Sequence, residues 1–320
     1  MIITKTPYRV SLFGGSTDYP SYYEDRGSLL LGFAIDKYCY LTLRETPKIF
    51  NYKTAISYSK LEKVSKNSSI ENNGVRGVLQ YFKIKFGVEI HHLCDLPSQT
   101  GIGSSSSFIV GLVNAIRKLK NKESSPQYLA TTSIDIERSL LNEPGGIQDQ
   151  IWAAYGGINS IHINTSGEFE VKPLPISHQF EIELLNRCVL IYTGSKRNSF
   201  EIARSHTKKK THTAKSRIHT LAHKAQDAFK RSDIDLIATL LHKSWIEKKK
   251  ISPLVSSDKI ESLYFDLREN GVMGGKLLGA GGSGFILCIL KDGAKEAFVS
   301  RYSKSIVDFS FDKQGSQIIN

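Results

Sequence analysis

The sequence predicts a two-domain protein of mixed α and β structure, of the α+β or α/β class. Its 320 residues exceed one typical domain, because domains usually hold roughly 100 to 200 residues. Segments rich in β-branched and aromatic residues alternate with segments of helical apolar spacing, in two blocks. Two prolines and a polar end in "VKPLPISHQ" separate the blocks, so we place the domains at residues 1–175 and 176–320.

The first block begins with strands. The stretches from Ile2 to Leu12 and from Leu29 to Leu43 predict two strands, separated by the turn-rich "FGGSTDYP". Helical spacing from Gly74 to Phe86 predicts a helix, and "VEIHHLCDLP" then alternates as a strand. In "SFIVGLVNAIRKL" the apolar residues share one helical face behind serines that are good N-caps.

The remaining elements follow the same patterns. A helix is predicted from Pro126 to Leu141, "QDQIWAAYGGINSIHI" predicts a helix and a strand, and "INTSGEFEV" is typical of a hairpin. The second block begins with the strand "RCVLIYTG" and continues through helices at 218–229, 233–249 and 258–269. It reaches "GGKLLGAGGSGFILCIL", a glycine-rich turn that leads into a strand.

Composition indicates a folded cytoplasmic protein. The hydrophobic fraction is 40% and the charged fraction 23%, which is ordinary for a globular chain. There is no signal-peptide pattern, and no apolar run approaches the roughly 18 residues that span a bilayer, so we expect no membrane partner. The four cysteines, which are far apart beside apolar neighbours, predict buried thiols in a reducing compartment: Cys39, Cys94, Cys188 and Cys288.

The net charge of +12 favours an anionic partner. Its densest basic stretch runs from Lys208 to Lys224 and lacks the interleaved aromatic residues of a single-strand binding platform, so we predict no nucleic-acid partner. A solvated helix face or mobile loop is the simple interpretation of this stretch, and attraction of a phosphate is the other.

The segment "TGIGSSSSF" connects a predicted strand to a helix N-terminus. Backbone N–H groups are unpaired at such a position and the helix dipole is positive, so phosphate oxygens can bind there without a charged side chain. No lysine follows the glycines, and Ser106 stands where a G-x-G-x-x-G motif has its third glycine. Taken alone, the segment leaves phosphate binding and an ordinary capped helix equally open.

Three segments together resemble the GHMP kinases, the superfamily of galactokinase, homoserine kinase, mevalonate kinase and phosphomevalonate kinase. They are "PYRVSLFGGSTDYP", "LPSQTGIGSSSSF" and "LLGAGGSGF", and they follow the family order over almost the whole chain. Within the superfamily, "GGIQDQIWAAYGG" and "YTGSKRNSFEIAR" are most similar to the D-glycero-D-manno-heptose 7-phosphate kinase branch.

The resemblance implies a fold and an activity. The fold is a two-domain α+β architecture, with a left-handed βαβ connection in the N-terminal domain and a ferredoxin-like C-terminal domain. The activity is transfer of the γ-phosphoryl group of ATP, with Mg²⁺, to the anomeric hydroxyl of heptose 7-phosphate, which gives a 1,7-bisphosphate for surface polysaccharide synthesis. A fucose, mannose or galactose 1-kinase and a non-catalytic GHMP-fold ligand-binding protein are the alternatives, and a homodimer is one assembly we expect.

The same resemblance implies roles for the phosphate loop and the metal. The nucleotide phosphates would be bound by a continuous run of residues: Gly101, Ile102, Gly103, Ser104, Ser105, Ser106 and Ser107. Ser105 and Glu137 would supply a hydroxyl and a carboxylate to Mg²⁺, an ion that prefers oxygen ligands. Without the resemblance, Glu137 beside Arg138 is simply a surface charge.

Catalytic and acceptor-binding roles are implied in the same way. Asp149 would act on the acceptor hydroxyl as general base or orienting group, with Arg9 beside it as a cation. Without the resemblance, Asp149 is an early-helix carboxylate that favours the dipole. The expected acceptor-binding residues are Asp18, Gly15, Ser16, Lys196, Arg197, Gly281 and Gly282. Without the resemblance, Asp18 is simply a turn-forming residue, and Lys196 and Arg197 simply cap the end of a strand.

The chain also departs from the family pattern. Gln99 stands where many relatives have the first glycine of the loop, so we expect no positive φ there. Gly15 and Ser16 occupy positions that are acidic and histidine in galactokinase, which weighs against galactose as the acceptor. Ser283 interrupts the third glycine run.

Overall fold

The computed structural model describes residues 1–194, 202, 204 and 211–320, which form two sheets with helices packed on them. The larger sheet contains eight strands among these residues. They are β1 (Ile2–Phe13), β2 (Ser28–Glu45), β3 (Thr54–Ser57), β4 (Leu61–Val64), β5 (Val88–Cys94), β6 (Ile158–Ile163), β7 (Phe169–Pro173) and the last strand of the chain, β12 (Gln317–Ile318). The mixed α+β class is confirmed.

Strand β2 is the centre of this sheet. Its first half pairs with β6 and its second half with β5, while β1 runs antiparallel along its other edge. The strands β3 and β5 pair in parallel, and the crossover between them contains β4 and a helix, α2 (Asn73–Tyr81). The handedness of that connection stays a prediction.

The smaller sheet is antiparallel, in the order β11, β8, β10, β9. Its strands are β8 (Cys188–Tyr192), β9 (Val272–Leu277), β10 (Phe285–Leu290) and β11 (Ile306–Val307). After β11 the chain returns to the larger sheet, where β12 pairs with β1 through Thr4 and Ile318. The division at residues 175 and 176 stays a prediction, since the C-terminal segment contributes to the first sheet.

The remaining helices cover these sheets. They are α1 (Pro20–Arg26), α3 (Ser104–Leu119), α4 (Pro126–Asp135), α5 (Gln148–Tyr155), α6 (His178–Arg187), α7 (His212–Lys230), α8 (Ile234–Lys249), α9 (Asp258–Glu269) and α10 (Lys295–Tyr302). Helix α3 packs on β1 and β2 with its apolar face buried, as its periodicity predicts. A π-helical turn, Ile136–Leu140, follows α4 and carries Glu137; such turns frequently occur at functional sites.

The cysteines are free thiols, and the expectation that all are buried is wrong for one of them. Cys39, Cys188 and Cys288 are buried, whereas Cys94 is exposed. It lies opposite Cys39 in the pairing of β2 with β5, at the last position of β5. A strand end has solvent on one side, which the apolar neighbours of Cys94 in the sequence do not reveal.

Strand β1 changes register against β2 between Pro7 and Tyr8. Pro7 has no N–H to give to the ladder, and bulges redirect the residues that follow them. Beyond the bulge, the backbone N–H of Arg9 donates to the carbonyl of Ile102 at 3.1 Å. The first strand is thereby attached to the glycine-rich loop that precedes α3.

Candidate active site

A cavity of about 820 Å³ lies where the three glycine-rich segments meet. Its wall includes residues of the first segment, of the loop before α3, and of the turn after β9. It also includes the start of α5 and the π-helical turn. Segments far apart in the sequence therefore surround one volume.

The Arg9 and Asp149 side chains form an ion pair in this cavity. The guanidinium of Arg9 donates from Nε to Oδ1 of Asp149 at 2.8 Å and from Nη2 to Oδ2 at 2.7 Å. Its remaining nitrogen, Nη1, donates to the carbonyl of Gly101 at 2.5 Å. The Arg9 side chain is 5% exposed and that of Asp149 is 27% exposed, so the carboxylate is the part that a ligand can reach.

Asp18 is buried beside this pair. Its carboxylate accepts hydrogen bonds from the backbone N–H of Ser16 at 3.0 Å and from Nε2 of Gln148 at 3.0 Å. Burial raises the pKa of Asp18, and the neighbouring Asp149 raises it further. Asp18, Gly15 and Ser16 all line the cavity, so the structure brings these three predicted residues together with the ion pair.

The loop before α3 presents a helix N-terminus to the cavity. Gly103, with φ +77°, is the N-cap, and Ser104, Ser105 and Ser106 form the first turn of a 16-residue helix. The N–H groups of this turn have no helical acceptor and are suited to phosphate oxygens. Gly101 and Gly103 to Ser106 line the cavity as predicted.

Two members of the predicted phosphate loop are placed elsewhere. Ser107 is buried, its N–H donates to the carbonyl of Gly103, and its Oγ donates to the carbonyl of Pro7. Ile102 is fully buried in the apolar core and outside the cavity wall. Helical geometry explains the position of Ser107, because the backbone N–H of the fourth residue of a helix already has a carbonyl acceptor.

The expectation for Gln99 is also wrong. Its φ is +62°, so it adopts the left-handed conformation that glycine provides in relatives. Its backbone N–H contacts Oγ of Ser104 at 3.4 Å. The loop keeps its shape with a non-glycine residue at an exposed position, where the side chain has room.

Glu137 points into the cavity from the π-helical turn and is 1% exposed. Oγ of Ser106 donates to its Oε2 at 2.9 Å, and Nε2 of Gln150 donates to the same oxygen. The hydroxyl that bonds Glu137 in the structure belongs to Ser106, whereas Ser105 is exposed and lines the cavity, so the metal role of Ser105 stays a prediction. Burial raises the pKa of Glu137 to about 7.

These groups fit a hard cation. A buried carboxylate with a hydroxyl beside it offers the oxygen ligands that Mg²⁺ takes, usually one or two from protein together with substrate phosphates and waters. Among the described residues no cluster of three or more His, Cys, Asp or Glu side chains could hold a metal. A cation at Glu137 would therefore need the nucleotide to complete its coordination.

The third glycine segment packs against the phosphate loop. A Cβ on Gly279 would lie 2.4 Å from the Cα of Gly101, and one on Gly284 would lie 2.0 Å from the carbonyl oxygen of Thr100. Gly279 and Ala280 line the cavity, whereas Gly281 packs on Val255 and the Gly282 N–H donates to its carbonyl. Gly281 and Gly282 are therefore outside the cavity wall, and their role in acceptor binding stays a prediction.

Three functional candidates were missed by the sequence analysis. Lys248 donates to the carbonyls of Leu277 at 2.8 Å and Gly279 at 2.6 Å, Lys276 donates to the carbonyl of Leu12, and Gln148 holds Asp18. All three line the cavity and are buried. Lys276 could have been found from the sequence, because it is a lysine within the apolar strand "VMGGKLL". Lys248 could not, because it lies in the run "EKKK", which is typical of an exposed helix face.

Part of the cavity wall is apolar. His92 and Phe108 meet edge to face with ring centroids 5.0 Å apart, and both line the cavity, as do Ile109 and Tyr58. Burial lowers the pKa of His92, which favours its neutral form. A flat aromatic ligand is suited to such a surface. The predicted Lys196 and Arg197 lie outside the described residues.

In the described part of the chain, no helix combines the length and apolarity needed to cross a membrane.

Sequence comparisons match both halves of the chain. Residues 73–157 match the family described as GHMP kinases N terminal domain, and residues 225–304 match GHMP kinases C terminal. A D-glycero-alpha-D-manno-heptose 7-phosphate kinase of Campylobacter jejuni subsp. jejuni serotype O:2 is 33% identical, over 98% of this chain and 97% of its own. A galactokinase of Pyrococcus furiosus is 25% identical, over 92% of this chain and 90% of its own.

Solved structures share the fold. A structure described as a D-glycero-D-manno-heptose 1-phosphate kinase from Bacteroides thetaiotaomicron has a TM-score of 0.82 and 23% identity, covering 100% of this chain and 99% of its own. A crystal structure of mevalonate kinase has a TM-score of 0.72 and 20% identity, covering 100% of both chains. The predicted two-domain architecture is confirmed.

Proposed function

Because the chain belongs to the GHMP kinase superfamily of ATP-dependent phosphotransferases, we propose that it is a sugar 1-kinase acting on D-glycero-D-manno-heptose 7-phosphate. The observation that carries the reaction type is the Arg9 and Asp149 ion pair beside the N-terminus of α3. The acceptor is supported by the Campylobacter relative, whose name gives that activity and which matches almost the whole chain at 33% identity. The product would be heptose 1,7-bisphosphate, a precursor for nucleotide-activated heptose and surface polysaccharide.

The nucleotide would lie between the helix N-terminus and the apolar wall. The N–H groups of Ser104, Ser105 and Ser106 donate to the phosphates, and the helix dipole stabilises their charge. The nucleobase packs against His92 and Phe108 in the apolar part of the wall. Glu137 and Ser106 would hold Mg²⁺, which when bound neutralises charge on the transferring phosphoryl group.

Asp149 would receive the acceptor. Arg9 directs one N–H to each carboxylate oxygen, and each oxygen keeps a lone pair that accepts the anomeric hydroxyl. As the new O–P bond forms and the bond from γ-phosphorus to the β-phosphate oxygen breaks, the hydroxyl proton passes to Asp149 and ADP leaves. The two contacts with Arg9 also fix the position of the carboxylate, which orients the hydroxyl for attack.

Other groups complete the acceptor site. Asp18 accepts from the backbone of Ser16 and from Gln148, which fixes its carboxylate beside the cavity for sugar hydroxyls. Lys248 and Lys276 lie next to Arg9 in the cavity wall, where burial lowers the pKa of both, so a bound anion would favour their ammonium forms. Positive charge there would stabilise the charge of the transferring phosphoryl group.

A panel of acceptors tests the proposal. Purified protein with ATP and Mg²⁺ is given heptose 7-phosphate, the free heptose, mannose, mannose 6-phosphate, fucose and galactose, and ADP release and the ³¹P spectrum are recorded. We expect the highest kcat/KM for heptose 7-phosphate, with phosphate appearing on the anomeric oxygen. The control is the Asp149→Asn variant prepared in parallel.

Two results would change the assignment. Good turnover of a free hexose with none of a phosphorylated heptose would identify a hexose 1-kinase. Binding of ATP without phosphorylation of any acceptor would identify a non-catalytic member of the fold.

A further inference from the structure

Gly15 leaves an open position in the cavity wall. Its φ is not in the positive range, so the backbone does not require glycine there. A Cβ on Gly15 would lie 3.4 Å from Oγ of Ser11, 3.8 Å from Nε2 of Gln148 and 3.9 Å from Nζ of Lys276, which are ordinary contact distances. Glycine at this position therefore leaves room in the cavity wall that a methyl group would fill in contact with these three side chains.

Three polar side chains surround that space, which we call the Gly15 recess: Ser11, Gln148 and Lys276 around Gly15. All three line the cavity and are at least nine-tenths buried, at 5%, 8% and 4% exposed. Oγ of Ser11 and Oε1 of Gln148 have no hydrogen-bond partner in the described part of the chain. Lys276 gives one of its three N–H donors to the carbonyl of Leu12 at 3.0 Å. Because unpartnered buried polar groups cost free energy, the recess is suited to a polar ligand.

The charge around the recess favours an anion. Lys276 lies near the cations Arg9 and Lys248, and its anionic neighbour is Asp18, which Gln148 already holds. Burial, and then Arg9, lowers the pKa of Lys276 to about 7, while Asp18 opposes that shift. A dianion in contact with Lys276 would supply the missing counter-charge and stabilise its ammonium form.

We propose that the Gly15 recess binds the phosphate monoester of the acceptor sugar, at the end remote from the reacting hydroxyl. The proposal rests on the proposed function and adds the part of the site that selects a phosphorylated acceptor. Lys276 provides the charge and Oγ of Ser11 donates to a phosphate oxygen, while Oε1 of Gln148, which can only accept, takes a hydroxyl of the sugar. Gln148 precedes Asp149 in the first turn of α5, so the recess is continuous with the residue that receives the acceptor hydroxyl.

The first test replaces the ammonium. Lys276→Met keeps the length and apolar stem of the side chain and removes a buried charge. The ratio of kcat/KM for heptose 7-phosphate to that for the free heptose is expected to fall at least tenfold, through KM of the phosphorylated acceptor. Lys249→Met is the comparison, because Lys249 lies outside the cavity wall and its ammonium donates to Glu261 at 2.6 Å. We expect it to change the ratio by less than twofold.

The second test fills the recess. Gly15→Ala adds a methyl group at contact distance and should lower the same ratio about fivefold, while Gly15→Asp, which places a carboxylate against Lys276, should lower it further. An unchanged ratio in Lys276→Met and Gly15→Asp would overturn the recess, as would a rise in KM for ATP in place of the acceptor. The latter would mean that Lys276 serves the nucleotide phosphates.

A binding measurement separates this proposal from the proposed function. With a non-hydrolysable ATP analogue saturating the nucleotide site, calorimetry compares mannose 6-phosphate with mannose on the wild-type and Lys276→Met proteins. A preference for the phosphorylated sugar that depends on Lys276 supports the recess even if heptose 7-phosphate is not turned over. Absence of any preference in the wild type overturns the recess even if heptose 7-phosphate is a good substrate.

Discussion

The guanidinium of Arg9 contacts both carboxylate oxygens of Asp149, at 2.8 Å and 2.7 Å, and also the carbonyl of Gly101 at 2.5 Å. One side chain of the first strand thus connects the acceptor-facing carboxylate to the loop that faces the nucleotide. Because both ends of the transferred group depend on this connection, small displacements of Arg9 or Asp149 should affect the chemical step more than substrate binding.

Replacing Asp149 by Asn should lower kcat by roughly 10² to 10⁴, because an amide cannot receive the hydroxyl proton. KM for ATP is expected to change less than threefold, since the hydrogen bonds that the structure gives the Asp149 carboxylate go to Arg9 and not to the first turn of α3. The measurement is steady-state ADP release with the best acceptor of the panel. Activity within a few-fold of the wild type would contradict a direct role for Asp149.

Replacing Arg9 by Lys should lower kcat about 10- to 100-fold, because an ammonium cannot make two parallel contacts with a carboxylate. The double variant Arg9→Lys with Asp149→Asn should be little slower than Asp149→Asn alone, since the two residues act as a unit. If the two effects multiply, Arg9 acts independently of Asp149.

Much of the fold is predictable from local sequence patterns, and the helices that were not predicted lack a strong local pattern. Apolar periodicity located α3, α8 and α9 and the central strands, because each buries one continuous face. Helices α6 and α10 were not predicted, since they bury few apolar residues, as in α10, where Phe298 is the single buried one. Their boundaries depend on packing partners that are distant in the sequence.

The sequence predicted those residues of the candidate site that lie within recognisable motifs. Resemblance identified Arg9, Asp18, Glu137 and Asp149, which the structure brings together around one cavity. It could not decide between Ser105 and Ser106, because the choice depends on the rotation of α3 against the π-helical turn. The buried positions of Lys248 and Lys276 depend on long-range packing, which one chain without relatives does not reveal.

Replacing Glu137 by Gln should stabilise the fold and impair the use of Mg²⁺. Among the described residues the buried carboxylate has no ion-pair partner, so a neutral amide removes a desolvation cost of about 1 kcal/mol. The NH₂ of the amide can donate to Oε1 of Gln150, which has no partner in that part of the chain. The affinity of a non-hydrolysable ATP analogue should rise with Mg²⁺ in the wild type and lose most of that rise in the variant. An equal Mg²⁺ effect in both proteins would exclude Glu137 as a ligand.

Replacing Gly279 by Ala should distort the phosphate loop. Its Cβ would lie 2.4 Å from the Cα of Gly101, and a backbone atom cannot move aside as a flexible side chain can. Gly293→Ala is the control: its φ of +68° is close to the +63° of Gly279, and nothing lies within 4 Å of an added Cβ. The control should cost about 1 kcal/mol of stability from backbone conformation.

Gly279→Ala should lower the free energy of unfolding by at least about 2 kcal/mol more than the Gly293→Ala control does. It should also raise KM for ATP at least tenfold. Urea unfolding and ATP titrations of both variants measure these effects. Equal stability losses would show that the contact between the two glycine segments is not constrained.

Lys215 on α7 should destabilise the protein at neutral pH. It is fully buried, Nζ has no hydrogen-bond partner in the described part of the chain, and its nearest aromatic contact is the Tyr19 ring, 5.5 Å from Nζ. Burial lowers the pKa of Lys215 to about 8, against 10.5 for an ordinary lysine, so the unfolded chain binds the proton more tightly. Its cost is fully present below about pH 8 and disappears as the pH rises through 10.5.

Lys215→Met should therefore raise the free energy of unfolding at pH 7 by about 1 to 3 kcal/mol. The gain should shrink steadily between pH 8 and pH 10.5, because Lys215 is then neutral in the folded wild type while the unfolded chain still binds the proton and gradually loses it. Lys224→Met, an exposed position on the same helix, is the matched control and should change stability by less than about 0.5 kcal/mol at every pH. Urea unfolding at pH 7, 8, 9 and 10 measures the difference between the variants. A gain that is the same at all four values would show that the pKa of Lys215 does not differ between the folded and unfolded chains, and a loss at pH 7 would show that its ammonium is stabilised in the folded protein.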